Sequence, residues 1–518
     1  MRGRRAGWMA VLMLLALGCT LLEPIGGTPT VQPATPPPTA TLPPTEEALP
    51  SPVATAAPTL TPPVVTATPS PAPPPPPPTT PPQPTAPPPT AAPTTPPAGP
   101  VSVWETTITL NSYGWEEALR PSTPDQPFYP YPALDFGAVQ PPAPREFQAV
   151  VLENEFVRLT ILPPLGGRIL RWEDKRSGIR LTYANPVLKP THWGYRGWWL
   201  ATGGLEWAFP VEEHGLDEYR PWAYELLGGE GWRGVHLWDT DDRTGLRLDI
   251  YLALRAGESA FTVRPRITNP TGSAQPLQFW INAMLTLSGG NAPSPSLTFW
   301  VPTEGMIVHS TGDGSLPGPR SVIAWPVWNG RDFSHYGEWH HYLGLFATEA
   351  RGAMGAYDTG SDEGMVRSYP PDGPQGVKIF ALGDLPSDLY TDDGSRYVEI
   401  WGGYNRTFFP EDTISLPAGA ALTWEERWYP LTGIHGLRWA DGLVALNTAH
   451  EGGGLTLYAE ASAPVARTFL LRRGEERVQR WDASLTPAAP WSATYAGDPN
   501  GLTLQVWEGD HLLTEIVP

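Results

Sequence analysis

The chain has 518 residues, 34 Lys and Arg against 53 Asp and Glu, and a formal net charge of −19. That length exceeds one ordinary domain, and the acidity, with no basic stripe, argues against nucleic-acid binding. A single cysteine excludes a disulfide-stapled fold, so stability must come from apolar burial, to which 23 Trp contribute.

Residues 1–19 read as an export signal rather than part of a fold. Arg2, Arg4 and Arg5 precede an apolar run too short to span a bilayer, ending Leu15, Ala16, Leu17, Gly18, Cys19. The ending resembles the lipobox of bacterial lipoproteins, although Ala16 stands where Leu is commoner. This implies lipidation at Cys19 and a lipid-anchored, extracytoplasmic location at the cell membrane. An ordinary cleaved signal is the alternative. Residues 20–100 are dominated by Pro, Thr and Ala, and from residue 24 on they carry no aromatic residue, Lys or Arg. Such a segment buries too little apolar surface to offset its ordering entropy. Its prolines favour polyproline II at about 3.1 Å per residue, enough for a stalk of roughly 200 Å.

From Val101 the pattern changes to alternating strands. Leu246, Leu248, Ile250, Leu252 and Leu254 alternate with Arg247, Asp249 and Tyr251, a period of two that puts one face in a core. Val157, Leu159 and Ile161 repeat the pattern, with Asp- and Gly-rich turns between runs. No long amphipathic helix is legible, so the expected class is all-β: a large sandwich over 101–432 and a small β domain over 433–518.

The stretch 193–215 gathers Trp193, Trp198, Trp199 and Trp207 around Gly203 and Gly204, with Glu206 and His214 alongside. Aromatic faces beside proton-accepting groups suit a sugar, whose rings present C–H faces and hydroxyls. The alternative is that these Trp are core, since core and pocket linings look alike in sequence. Asp239, Asp241 and Asp242, and again Asp358, Asp362 and Glu363, have the spacing of oxygen ligands for calcium. Neither set completes a calcium loop, and hairpin turns favour the same residues, so no metal or other cofactor is expected. No zinc pattern, phosphate loop or nucleophile elbow is present.

The run from Glu153 to Gly178, with its turn Gly166, Gly167, Arg168, Ile169, resembles the opening of galactose-mutarotase-like domains. The ordered set Asn185 to Pro190, Gly203 to Trp207, His214, Gly376 to Phe380 and Trp401 to Gly403 is similar to a bacterial family termed domain of unknown function 5107. The resemblance covers about 145–432 and implies a β-supersandwich with a carbohydrate ligand. In aldose 1-epimerases of that superfamily a Glu removes the anomeric proton and a His protonates the ring oxygen. The resemblance puts Glu399 at the base position, the alternative being a strand carboxylate paired with Arg396. At the family's His position it puts Asn282, which cannot act as an acid. His214, His340 or His341 is then left to supply one, each having a surface or structural role as its alternative. Lys189, Arg196, Glu206, Trp207, Asn282 and Trp401 complete the expected ligand contacts. Three functions stay open: a carbohydrate-binding lipoprotein, a carbohydrate-active enzyme (epimerase, lyase or hydrolase), and a structural module with a vestigial pocket.

Overall fold

The computed structural model describes residues 100–518 apart from Ala350. The expectations for residues 1–19, including Cys19, and for the stalk lie outside the described residues. Among the described residues, helix is confined to three-residue 3-10 turns, and no helix is long and apolar enough to cross a membrane.

Two large sheets carry the main domain. One has fourteen strands, with the central order Gly305–Thr311, Leu343–Ala347, Gly376–Ala381, Val398–Gly403, Trp280–Leu285, Leu205–Ala208, Arg168–Asp174. The other has nine and includes Trp232–Thr240, Arg247–Arg255, Phe261–Thr268 and Glu426–Thr432. Both sheets feed one core. Ile169, Leu205, Trp207, Ile281, Ile379 and Ile400 from the first meet Leu237, Leu248, Ile250, Leu252 and Val263 from the second, all 0–1% exposed. Each such side chain contributes about 1.5–3 kcal/mol of burial. The alternation read in the sequence is what builds this layer: Leu248, Ile250, Leu252 and Leu254 point inward, while Arg247 and Tyr251 stay half-exposed.

The alternation also leaves a second face on the large sheet, turned away from that core. Glu206, Asn282, Trp401, Lys378 and Phe346 stand directly opposite one another across five adjacent strands. Their neighbours Trp207, Ile281, Ile400 and Ile379 point the other way into the core. The row belongs to a separate layer with Trp280 and Phe408.

Residues beyond the main domain form two four-stranded sheets, Trp439–Ala440 through Trp491–Tyr495 and Val465–Arg473 through His511–Ile516. They share a core of their own around Leu446, Leu457, Phe469, Leu471 and Leu504. Arg176 of the main domain reaches into this unit: it pairs with Asp174 and Glu460 and donates to the Pro430 and Pro487 carbonyls.

Candidate functional site

The glycine pair creates the site. Gly203 and Gly204 have φ of +88° and +80°, and a Cβ would lie 2.4 Å from the Tyr183 carbonyl oxygen or 2.1 Å from that of Ile169. Only glycine permits this approach. The kink carries the chain from Trp199–Gly203, at the end of the sheet's strand order, to Leu205–Ala208 near its middle. It thereby sets Trp199 against Glu206, whose Oε2 accepts the indole N–H at 3.1 Å.

Glu206 is the hub and is 1% exposed. Its Oε1 lies 2.6 Å from His214 Nδ1 and accepts from Asn282 Nδ2 at 3.2 Å. Its Oε2 also faces Arg168, 3.3 Å away and wholly buried. Asn282 Nδ2 donates a second time, to Glu399 Oε1 at 3.3 Å, and Trp401 Nε1 donates to Glu399 Oε2 at 2.8 Å. Lys378 Nζ lies 4.6 Å from the Trp401 ring centroid and 4.3 Å from that of Phe408. His214 stacks on Trp199 at 3.9 Å and lies 5.7 Å from Trp401. One network thus joins three segments remote in sequence: the Gly-Gly stretch, the strand of Asn282 and the strand of Glu399 and Trp401.

The two carboxylates differ in electrostatics. Burial alone raises a carboxyl pKa, but at Glu206 the imidazole of His214, then Arg168 and Asn282, outweigh it and hold the group below its ordinary range. At Glu399 burial wins: Lys378, His214 and the Trp401 indole offset only part of it, so the carboxyl is raised. Burial lowers an imidazole, yet at His214 the charge and hydrogen bond of Glu206, then Glu399 and Glu213, reverse this and hold it above its ordinary value. The arrangement therefore favours the protonated imidazole and the ionised Glu206 relative to the free groups, beside a Glu399 carboxyl of enhanced basicity. His214, 9% exposed, and Glu399, 4%, are more accessible than Glu206 or Asn282 beneath them. His214 Nε2 makes no hydrogen bond among the described residues.

The structure gives four of the expected residues other surroundings. Trp207 follows Glu206 in a strand and so faces the inter-sheet core, its indole donating to the Gly167 carbonyl at 3.2 Å. Arg196 is buried 4.0 Å from the Trp198 ring centroid, with its charge taken by Glu218. Lys189 is tied to Asp392 Oδ1 at 2.6 Å and to the Asp388 carbonyl. His340 is exposed, and its neighbour His341 bonds Asp384. Asn282 and Trp401 do join the site, but at 0% and 1% exposure they act from within it. The acidic turns are used internally: Asp239 and Asp242 hold Arg220, and Asp241 accepts from Tyr131 and Thr244. Asp358 accepts from Ser296, and Asp362 from Tyr357. Among the described residues no group of His, Cys, Asp or Glu is arranged to hold a metal.

Two residues of this face escaped sequence reasoning. Lys378 falls inside the motif Gly376 to Phe380, and register opposite Trp401 is what brings it to this face. His309 lies against Phe346 and Phe408, the same rings that flank Lys378. Burial and then the Lys378 charge hold His309 well below its ordinary pKa. A polar residue alternating with buried Met306 and Val308 was the available signal.

A family model described as a domain of unknown function (DUF5107) matches residues 124–430. The chain belongs to the DUF5107 family. Every residue of the network falls inside the matched stretch of this DUF5107 protein, and the C-terminal unit falls outside it. Among solved structures, a TPR-domain containing protein from Parabacteroides distasonis is similar at 23% identity and a TM-score of 0.56. The alignment covers 66% of this chain and 57% of that one, and shows a shared fold. A galactose mutarotase-like protein from Clostridium acetobutylicum is similar at 10% identity and a TM-score of 0.42, over 55% of this chain and 96% of that one.

Proposed function

We propose that this DUF5107 protein binds a carbohydrate at the mouth of the Glu206–Asn282–Glu399 network, through His214 Nε2 and the Glu399 carboxylate. The observation that carries the reading is that these two groups, one a donor and one an acceptor, are the least buried of the four hydrogen-bonded polar side chains Glu206, His214, Asn282 and Glu399. Sugar hydroxyls both donate and accept, and a fixed donor beside a fixed acceptor matches them without reorganisation. The motif resemblance to mutarotase-like domains points the same way.

A second reading, acid–base catalysis at an anomeric centre, is favoured by one specific observation. Glu399 is held more basic than an ordinary carboxylate, and His214 more basic than an ordinary imidazole. Such a pair is suited to withdrawing one proton and delivering another. In that reading Glu399 removes the anomeric hydroxyl proton and His214 Nε2 protonates the ring oxygen. Both readings keep the sequence-based proposal of a lipid tether at Cys19, tested by whether Cys19→Ser moves the protein from the membrane to the soluble fraction.

Saturation-exchange NMR of the anomeric protons of glucose, galactose, glucuronate and short glucans separates the two. Perturbation of sugar signals that is lost in His214→Gln and Glu399→Gln supports binding. Faster exchange between anomers, abolished by Glu399→Gln, supports catalysis. No effect on any of these sugars refutes both.

A further inference from the structure

Asn282 is the odd member of the network. It is 0% exposed, so a ligand above the site does not reach it. Its amide nitrogen spans both carboxylates, at 3.2 Å from Glu206 Oε1 and 3.3 Å from Glu399 Oε1. An amide has two N–H bonds, and this geometry assigns one to each carboxylate. Its Oδ1 is buried without a partner, a penalty that the fold accepts to keep the nitrogen between the acids. Register fixes the arrangement: Asn282 pairs with Glu206 on one side and Trp401 on the other, and Glu399 lies two residues before Trp401 on the same face.

We propose that Asn282 is the positioning residue of this site, its single amide holding Glu399 and the Glu206–His214 pair side by side as two separate proton carriers. The inference rests on the functional reading above and assigns Asn282 a role other than ligand contact. The physical argument is one of like charges. Two carboxylates at this separation raise one another's affinity for a proton and, with nothing between them, titrate as one coupled unit. A donor clamped between them favours both anions. Glu206 has other support, from His214, Arg168 and Trp199. Glu399 has the Trp401 indole and the nearby Lys378 and His214 charges, and Asn282 is the side chain that donates to both acids. The remaining ionisable groups facing the network are Tyr397, on the Glu399 side, and Glu213 and Glu218, on the loop beside His214. None of them lies between the two carboxylates as hydrogen-bond donor.

The test reads proton affinity directly and requires no sugar. In full-length protein with ring-13C-labelled histidine, the His214 resonance is the one lost in His214→Gln. Its titration midpoint is measured in the wild type, Glu399→Gln, Asn282→Leu and the double variant. The proposal expects Asn282→Leu to shift His214's proton affinity by about threefold or more, and the effect of Glu399→Gln to differ between the Asn282→Leu background and the wild type. Equal effects of Glu399→Gln in both backgrounds overturn it, as does an unmoved midpoint in Asn282→Leu. Should Asn282→Leu not fold, Asn282→Ser removes the two-way donor in a smaller polar residue and is read by the same criteria. The midpoint cycle can succeed while sugar binding fails, or the reverse, so the two ideas fall separately.

Discussion

The Arg168–Glu206 pair provides the strongest test of the network's energetics. Arg168 is wholly buried, donating to the carbonyls of Leu165 at 3.1 Å, Gly203 at 3.3 Å and Glu218 at 3.2 Å, with Glu206 its carboxylate partner 3.3 Å away. Glu206→Leu leaves this guanidinium without that counter-charge and His214 without its acceptor. Removing one partner of a buried pair costs about 3–5 kcal/mol, because the other charge stays desolvated. Arg168→Met with Glu206→Leu removes both charges and is expected to cost less than the sum of the single variants by about 1–3 kcal/mol. The assay is urea unfolding followed by tryptophan fluorescence, fitted with separate transitions if the C-terminal unit melts independently. The reasoning is refuted if Glu206→Leu costs under about 1 kcal/mol, or if the double variant costs the full sum.

Three further expectations follow from geometry elsewhere. Gly204→Ala drives a Cβ into backbone and is expected to yield no folded protein, whereas Gly197→Ala, also at positive φ but with nothing within 4 Å, costs about 1–2 kcal/mol; solubility and thermal melts compare them. Burial pushes Glu363 up to about 7. Its folded pKa exceeds the unfolded one, so its contribution to stability falls as pH rises from the ordinary carboxyl range through about 7. Glu363→Gln should therefore lose less stability than the wild type between pH 5 and pH 8, by up to about 3 kcal/mol in paired urea titrations. Arg176→Met removes the side chain shared by Asp174, Glu460 and the Pro487 carbonyl, and is expected to speed proteolysis between the two units; an unchanged digestion pattern would count against the tie.

The strand core was legible because period-two alternation is a local property: Leu248 through Leu254 announced their own face. Glu206 and His214 were legible as candidates from the Trp-rich stretch around the glycine pair, and Glu399 and Asn282 through the resemblance to mutarotase-like domains. What could not be read was which candidates meet. Trp207 and Glu206 are neighbours in sequence and opposites in space, since successive strand residues face opposite sides. Lys189 and Arg196 look like ligand-binding cations until their counter-charges, Asp392 and Glu218, arrive from elsewhere in the chain. Lys378 shows the converse: an unremarked lysine becomes part of the site through register alone.

The cross-strand row has a consequence for the timing of the chain's maturation. Glu206, Asn282 and Glu399 are adjacent in the sheet but remote in sequence, and contacts of that kind close late because loop entropy must be overcome first. A growing chain therefore lacks the complete network until Val398–Gly403 has been made and inserted beside Trp280–Leu285. Under the proposed function, ligand binding would report that this late strand is in its register, which makes it a sharper measure of correct assembly of the main domain than secondary-structure content.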